Sequence, residues 1–170
     1  MAVKDSADLH VDRWRDHWID IPFDDEVEAA TFRVQRLNRY LDRTTRRAVA
    51  DTGLQDFEYE TLHRLMIRDT PGRASPTQLA QDLGVSPAGM SGRLSGLEKR
   101  GYLKRIPGTT DRRTVDIEVT RLGADVWRAA MARRGDAEER LAGALTRKEL
   151  GTLNRLLRKM VLQAESEDHG

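Results

Sequence analysis

Apolar residues recur at helical spacing along most of this chain and alternate in only one stretch. Val11, Trp14 and Trp18 predict a short first helix, broken near Ile21-Pro22-Phe23. Asp24 or Asp25 then caps a longer helix to about Ala50, with Val27, Phe32, Val34, Leu37, Tyr40, Leu41 and Ala48 on or near its buried face. Gly53 is the expected C-cap. A third helix from Phe57 to Ile67 draws on Phe57, Tyr59, Leu62, Leu65 and Met66, and Asp69-Thr70-Pro71-Gly72-Arg73 reads as a polar turn.

The densest pattern lies between Ser75 and Thr120. Ser75-Pro76-Thr77-Gln78 combines an N-cap, a proline at the first helical position and a glutamine at the capping-box position. Leu79, Ala80 and Leu83 form the inner face of that helix, and Gly84 permits a sharp turn. Ser86-Pro87 repeats the device for a second helix. There Met90, Leu94 and Leu97 point inward, leaving Pro87, Ala88, Ser91 and Ser95 on the opposite face. Gly101 ends it. Tyr102–Ile106 and Thr114–Val119 alternate as strands, joined by Pro107-Gly108-Thr109-Thr110-Asp111-Arg112-Arg113.

This is the layout of a winged helix-turn-helix. A helix from Arg121 to about Gly143 follows, carrying Leu122, Val126, Trp127, Ala130, Met131 and Leu141. Thr146-Arg147-Lys148-Glu149 is a capping box for a last helix with Leu150, Leu153, Leu156, Leu157 and Met160 on its apolar face. Residues 164–170 read as a frayed acidic tail. The fold class is mainly α (α+β), with flanking helices whose apolar residues exceed what one small module can cover. The expected organisation is 1–56 for N-terminal dimerisation helices, 57–120 for the winged module, 121–164 for C-terminal dimerisation helices and 165–170 for the tail.

Composition narrows the class. The 170 residues suffice for one sizeable domain or two lobes sharing a core. No apolar run approaches the length of a membrane span, and the N-terminus lacks the apolar core of an export signal. Cysteine is absent, which excludes disulfides and thiolate metal sites and suits a cytoplasmic protein. A formal net charge of +1 hides asymmetry: residues 1–30 hold three Lys/Arg against nine Asp/Glu. Residues 86–115 hold Arg93, Lys99, Arg100, Lys104, Arg105, Arg112 and Arg113 against only Glu98 and Asp111, so positive potential is expected at the winged module.

An ordinary solvated helix face carries Glu and Lys. The face bearing Ser86, Pro87, Ala88, Ser91 and Ser95 instead offers small hydroxyl and methyl groups suited to close approach to base edges and phosphates. The competing reading is packing against another helix. Arg112 and Arg113 suit phosphate contact or a narrow minor groove, with Asp111 expected to brace the wing. Two recognition helices related by a two-fold axis would sit about 34 Å apart, on successive major grooves.

The helix Leu79–Leu83, the run Met90-Ser91-Gly92-Arg93-Leu94-Ser95-Gly96-Leu97-Glu98, the turn Lys99-Arg100-Gly101-Tyr102-Leu103, the triplet Asp111-Arg112-Arg113, and Val119-Thr120 with Gly123 together form a specific signature. From about Val27 to Met160 the chain resembles the MarR family of bacterial transcriptional regulators. The resemblance implies a homodimer on a pseudo-palindromic double-stranded DNA operator, of repressor type, with affinity reduced by a small anionic or aromatic effector. It implies no cofactor. A narrower likeness joins it to the urate-responsive members, through Trp14 and Trp18 on an extra N-terminal helix and through Glu60, Arg93 and Arg105. Glu60 stands where those members carry aspartate. The plain alternative is an internal Glu60–Arg93 salt bridge, with the tryptophans sealing the dimer. Arg93 thus stands open between DNA, ligand and structure.

No nucleophile elbow, phosphate-binding glycine loop or HExxH motif occurs, so the chain does not read as an enzyme. His10, His17, His63 and His169 are widely spaced, and no zinc site is expected from them. The rival reading is a winged helix that binds DNA without sequence preference or mediates protein contacts.

Overall fold

Side-chain caps open each of the longer helices, and they divide the chain as the periodicity predicts. The computed structural model describes residues 3–15, 24–108 and 114–168. These form two units, Met1–Asp56 and Phe57–Gly170.

The first unit is a helix pair, α1 (Ser6–Arg15) and α2 (Asp25–Ala50). Asp5 accepts from the Ala7 and Asp8 amides, while Asp8 accepts from the Asp5 amide. Asp24 accepts from Glu26 and Val27 at the start of α2. Ala7 and Val11 are buried on α1, and the helices are clasped by Arg33 on Asp5 and Asp8 at 2.9 and 2.6 Å. The Arg33 guanidinium, helped by the capping amides, holds the Asp5 carboxyl down to about 2. Helix α1 ends at Arg15, and Trp18 lies outside the described residues.

On α2 the apolar stripe exists but faces outward. Val27 is 61% exposed, Val34 41% and Leu37 43% within the single chain, as expected of a flanking helix with more apolar surface than the module can cover. Periodicity locates a stripe on a helix; it does not say that the same chain covers it.

The second unit runs α3 (Asp56–Met66), β1 (Arg73–Ala74), α4 (Pro76–Asp82), α5 (Pro87–Lys99), β2 (Leu103–Pro107), β3 (Val115–Val119), α6 (Arg121–Ala142) and α7 (Arg147–Asp168). The three strands form an antiparallel sheet in the order β1-β3-β2, with Leu103 opposite Val119 and Arg105 opposite Ile117. Strand β1 falls where a plain turn was expected. Gly72, with φ +82, turns the chain so that Arg73 and Ala74 pair with Glu118 and Ile117. Leu62, Leu65, Leu79, Met90, Leu94, Leu97 and Ile117 are fully buried and make the core of this unit.

The capping box of α4 forms as read, between Ser75 and Gln78, and that of α7 between Thr146 and Glu149. Helix α7 differs in two ways. It continues through the acidic segment expected to fray, with Gln163 bonded to Glu167 and Ser166 to the Gln163 carbonyl. It also buries none of its residues: Leu156, Met160, Val161 and Leu162 are all exposed.

One close approach fixes where α6 begins. Thr120 caps the helix by accepting from the Gly123 amide, and its own hydroxyl donates to the Gly101 carbonyl at 2.6 Å. A Cβ on Gly123 would stand 2.1 Å from the Tyr102 carbonyl oxygen. Gly123→Ala should therefore cost roughly 1–3 kcal/mol of stability. Gly135→Ala, at a site on the same helix with nothing within 4 Å, should instead raise it slightly. Urea melts at one protein concentration separate the two, and equal losses would remove the close approach as the cause.

Candidate nucleic-acid interface

Helix α5 is built to present one face and bury the other. Ser86 has an extended backbone and accepts from the Gly89 amide, and Pro87 occupies the first turn. Met90, Leu94 and Leu97 are each at most 1% exposed, which sets the rotation of the helix. Ser86, Pro87, Ala88 and Ser91 are consequently exposed, and Ser95 is half-buried.

Three glycines lie on this short helix, and the fold explains one. A Cβ on Gly89 would come 3.0 Å from the Val85 side chain. At Gly92 and Gly96 it would meet nothing within 4 Å. A glycine inside a helix costs roughly 0.5–1 kcal/mol relative to alanine. Nothing in this unit offsets that cost at Gly92, which is exposed, or at Gly96, which is half-buried; their signal was glycine in the interior of a capped helix.

The basic cluster is more neutral than its composition suggests. Arg93 binds Glu60 at 2.7 Å and lies over the Phe57 ring. Arg100 binds the buried Glu58 at 2.5 Å and packs on the Tyr102 ring, and the Glu58 carboxylate keeps it firmly protonated. Lys104 pairs with Glu118, and Arg105 with Glu98 at 3.0 Å. The expected positive potential is thus cancelled locally at four of its cations. Composition counts charges but cannot see that acids from α3 and β3 fold against them. Asp111, Arg112 and Arg113 lie outside the described residues.

Of the residues read as a ligand set, Glu60 and Arg93 do meet, while Arg105 is engaged by Glu98. Trp18 is outside the described residues. A cavity of about 900 Å³ opens between β1, the start of α4 and the start of β3. Its arginines are also engaged, Arg68 by Asp82 and Arg73 by Asp116 and the Pro107 carbonyl. Among the described residues no group of His, Cys, Asp and Glu could hold a metal ion, and no helix is long and apolar enough to cross a membrane.

The family model described as MarR family matches residues 52–114, from the turn before α3 to the start of β3. Over these residues the chain is similar to the MarR family. It is 29% identical over 110 residues to the HTH-type transcriptional regulator PecS of Dickeya dadantii, covering 65% of each chain. It is 31% identical over 91 residues to the multiple antibiotic resistance protein MarR of Salmonella typhimurium, covering 53% of this chain and 63% of that one. The aligned stretches therefore span less than two thirds of either relative. In fold the chain is similar to the YusO protein of Bacillus subtilis, with TM-score 0.71 at 18% identity over 84% of this chain and 99% of that one. It is also similar to a mutant of MepR from S. aureus bound to an oligodeoxyribonucleotide, with TM-score 0.63 at 18% identity over 79% and 97%.

Two acids of α3 allow the ion pairs to be ranked. Glu60 is half exposed, so Glu60→Gln should cost less than about 1 kcal/mol. Glu58 is buried, and Glu58→Gln strips the carboxylate from Arg100, for a loss of roughly 1–3 kcal/mol. Denaturant unfolding of both variants checks the order; a larger loss at Glu60 would reverse the assignment of which pair the fold depends on.

Proposed function

We propose that the chain is a transcriptional regulator of repressor type that binds double-stranded DNA as a homodimer on a pseudo-palindromic operator. The observation that carries this reading is the outer face of α5. Ser86, Pro87, Ala88 and Ser91 are exposed, Ser95 is half-buried, and Gly92 and Gly96 keep the backbone bare where the fold has no need of it. Such a helix can lie deep in a major groove, with hydroxyls meeting phosphates and base edges. Because the face has no long donors for bidentate pairing, groove shape and wing contacts carry much of the specificity. Arg112 and Arg113, in the loop between β2 and β3, are the proposed wing contacts to the backbone. The match of residues 52–114 to the MarR family model supports the reading, as does a fold similar to that of MepR, a mutant of which is bound to an oligodeoxyribonucleotide.

The helices of 1–56 and 121–164 are the proposed dimerisation elements. Supporting this, α2 and α7 leave Val27, Val34, Leu37, Leu156 and Met160 uncovered. A symmetric partner copy is the economical cover for apolar stripes of this length. A small anionic effector reaching Arg93 or Arg105 must displace Glu60 or Glu98, so its binding and the breaking of an ion pair are one event.

Selection from a random duplex pool at physiological salt should recover a palindrome with half-sites about 10 base pairs apart. Recovery of no sequence, with binding that simply fades as salt rises, would favour a general DNA-binding module instead. On the recovered operator, Gly92→Ala and Gly96→Ala should each raise thermal stability by roughly 0.5–1 kcal/mol. Each should also weaken binding about tenfold, which is about 1.4 kcal/mol. Stability and affinity rising together would mean that α5 does not approach DNA on this face.

A further inference from the structure

Between α3 and α6 lies a cluster of rings that the reading of α5 does not use. The Trp127 indole Nε1 sits 3.3 Å from His63 Nδ1. An indole N–H can only donate, so His63 Nδ1 must accept, and the imidazole is neutral with its proton on Nε2. Tyr59 stacks on the same ring at 5.4 Å between centroids and 18° between planes, and Trp127 lies tilted at 6.2 Å. The Tyr59 hydroxyl donates to Met131 Sδ at 3.2 Å. These contacts tie one helix to the other by side chains alone.

We infer that His63 makes the α3–α6 joint sensitive to protons: the neutral ring accepts the Trp127 indole N–H, and a protonated ring breaks that bond.

The two charges that act on His63 most strongly, Arg134 and Arg64, act in one direction. On α3 it faces Tyr59 and Arg64, and on α6 it faces Trp127, Met131 and Arg134. Glu138, the carboxylate in this cluster, is bonded to Arg134 Nε at 2.6 Å. That bond, with a second that Arg134 donates to the Tyr59 hydroxyl oxygen, keeps the Arg134 guanidinium charged. Burial first, then Arg134 and Arg64, push the His63 imidazole below its ordinary value. A proton added at Nδ1 sets one N–H against another and brings a cation beside two guanidiniums. The sign follows. The folded-state value lies below the unfolded one, so the contribution of neutral His63 is complete above the ordinary imidazole value of about 6.5. It is lost as pH falls through the lower folded-state value. The His10 ring makes the useful contrast, since its neighbour is a carboxylate, Glu28 at 2.7 Å, and not an indole N–H.

Helix α3 leads into β1 and α4, and α6 leaves the end of β3, so this joint braces the winged module from both ends of its chain. Resting on the DNA-binding reading, mild acid should loosen the seating of α5 and lower affinity for DNA.

The test follows the tryptophan indole N–H resonances of the full chain by nuclear magnetic resonance from about pH 8 to about pH 5. Trp127→Phe assigns the relevant signal among the three tryptophans. That signal should shift with a midpoint below about 6.5 in the wild type. It should stay still in His63→Gln, whose amide oxygen accepts at any pH, and should shift as in wild type in His10→Gln. A Trp127 signal that never moves, or that moves identically in His63→Gln, overturns the inference. Should His63→Gln fail to fold, Trp127→Phe decides: with the donor gone, the His63 ring midpoint should move up, and an unmoved midpoint overturns the inference. Duplex affinity should fall about tenfold over the same range in wild type, one pKa unit's worth of coupling, and hardly at all in His63→Gln. An indole that titrates while affinity stays constant removes the regulatory consequence. Failure to bind any duplex at either pH tells against the proposed function and leaves the joint standing.

Discussion

The contact on which the second unit depends is the seat of Gly123 on the Tyr102 carbonyl. Four pieces of structure meet there: the end of α5 through Gly101, the start of β2 through Tyr102, the end of β3 through Thr120, and the first turn of α6. The Thr120 amide donates to the Tyr102 carbonyl at 3.0 Å while its hydroxyl reaches Gly101. Only a residue without Cβ lets the helix come this close. Because the contact is backbone on backbone, it sets direction without relying on side-chain rotamers. The long α6 is thereby aimed relative to α5 and the sheet. Helix α6 also meets α3, through the ring cluster around His63.

Charge around α5 is arranged to be spent inside the protein. Glu58 and Glu60 on α3 take Arg100 and Arg93, and Glu98 on α5 itself takes Arg105. Two consequences pull together. The pairs fix how α3, α5 and β2 sit against one another, and they remove long cationic side chains from competition for the groove. A helix left with Ser, Ala and Gly outward gains close approach and gives up bidentate base readout. Discrimination then has to come from shape, from half-site spacing and from the wing.

What could be read from the residues followed the range of the interaction. Caps are local, and Asp24, Ser75, Ser86 and Thr146 each announced a helix that forms. The buried face of α5 was equally legible, because Met90, Leu94 and Leu97 need only helical spacing to be assigned. Strand β1 was not legible: two residues have no alternation, and they become a strand only because β3 lies alongside. The ion pairs were half legible. Glu60 and Arg93 stand 33 residues apart, Glu58 and Arg100 42, and nothing local says which acid meets which cation. The stripes of α2 and α7 were legible as apolar surface in excess of what one module can cover, and in the single chain they stand exposed.

Those uncovered stripes bear on how the ring cluster at His63 can matter. An apolar face as long as that of α7 holds its helix in place only once something packs on it, so in a single chain α7 has little to anchor it. A partner copy covering α2 and α7 would make the far end of α6 rigid. The α3–α6 contact would then be one connection between that base and α5. At such a connection a small change in one side chain can become a rotation of the whole reader. His63 stands at that place, with its neutral form required by the indole beside it and its charged form opposed by Arg64 and Arg134. Removing the acid sensitivity needs only a neutral acceptor in its position, because the bond itself, rather than the imidazole, is what the two helices share.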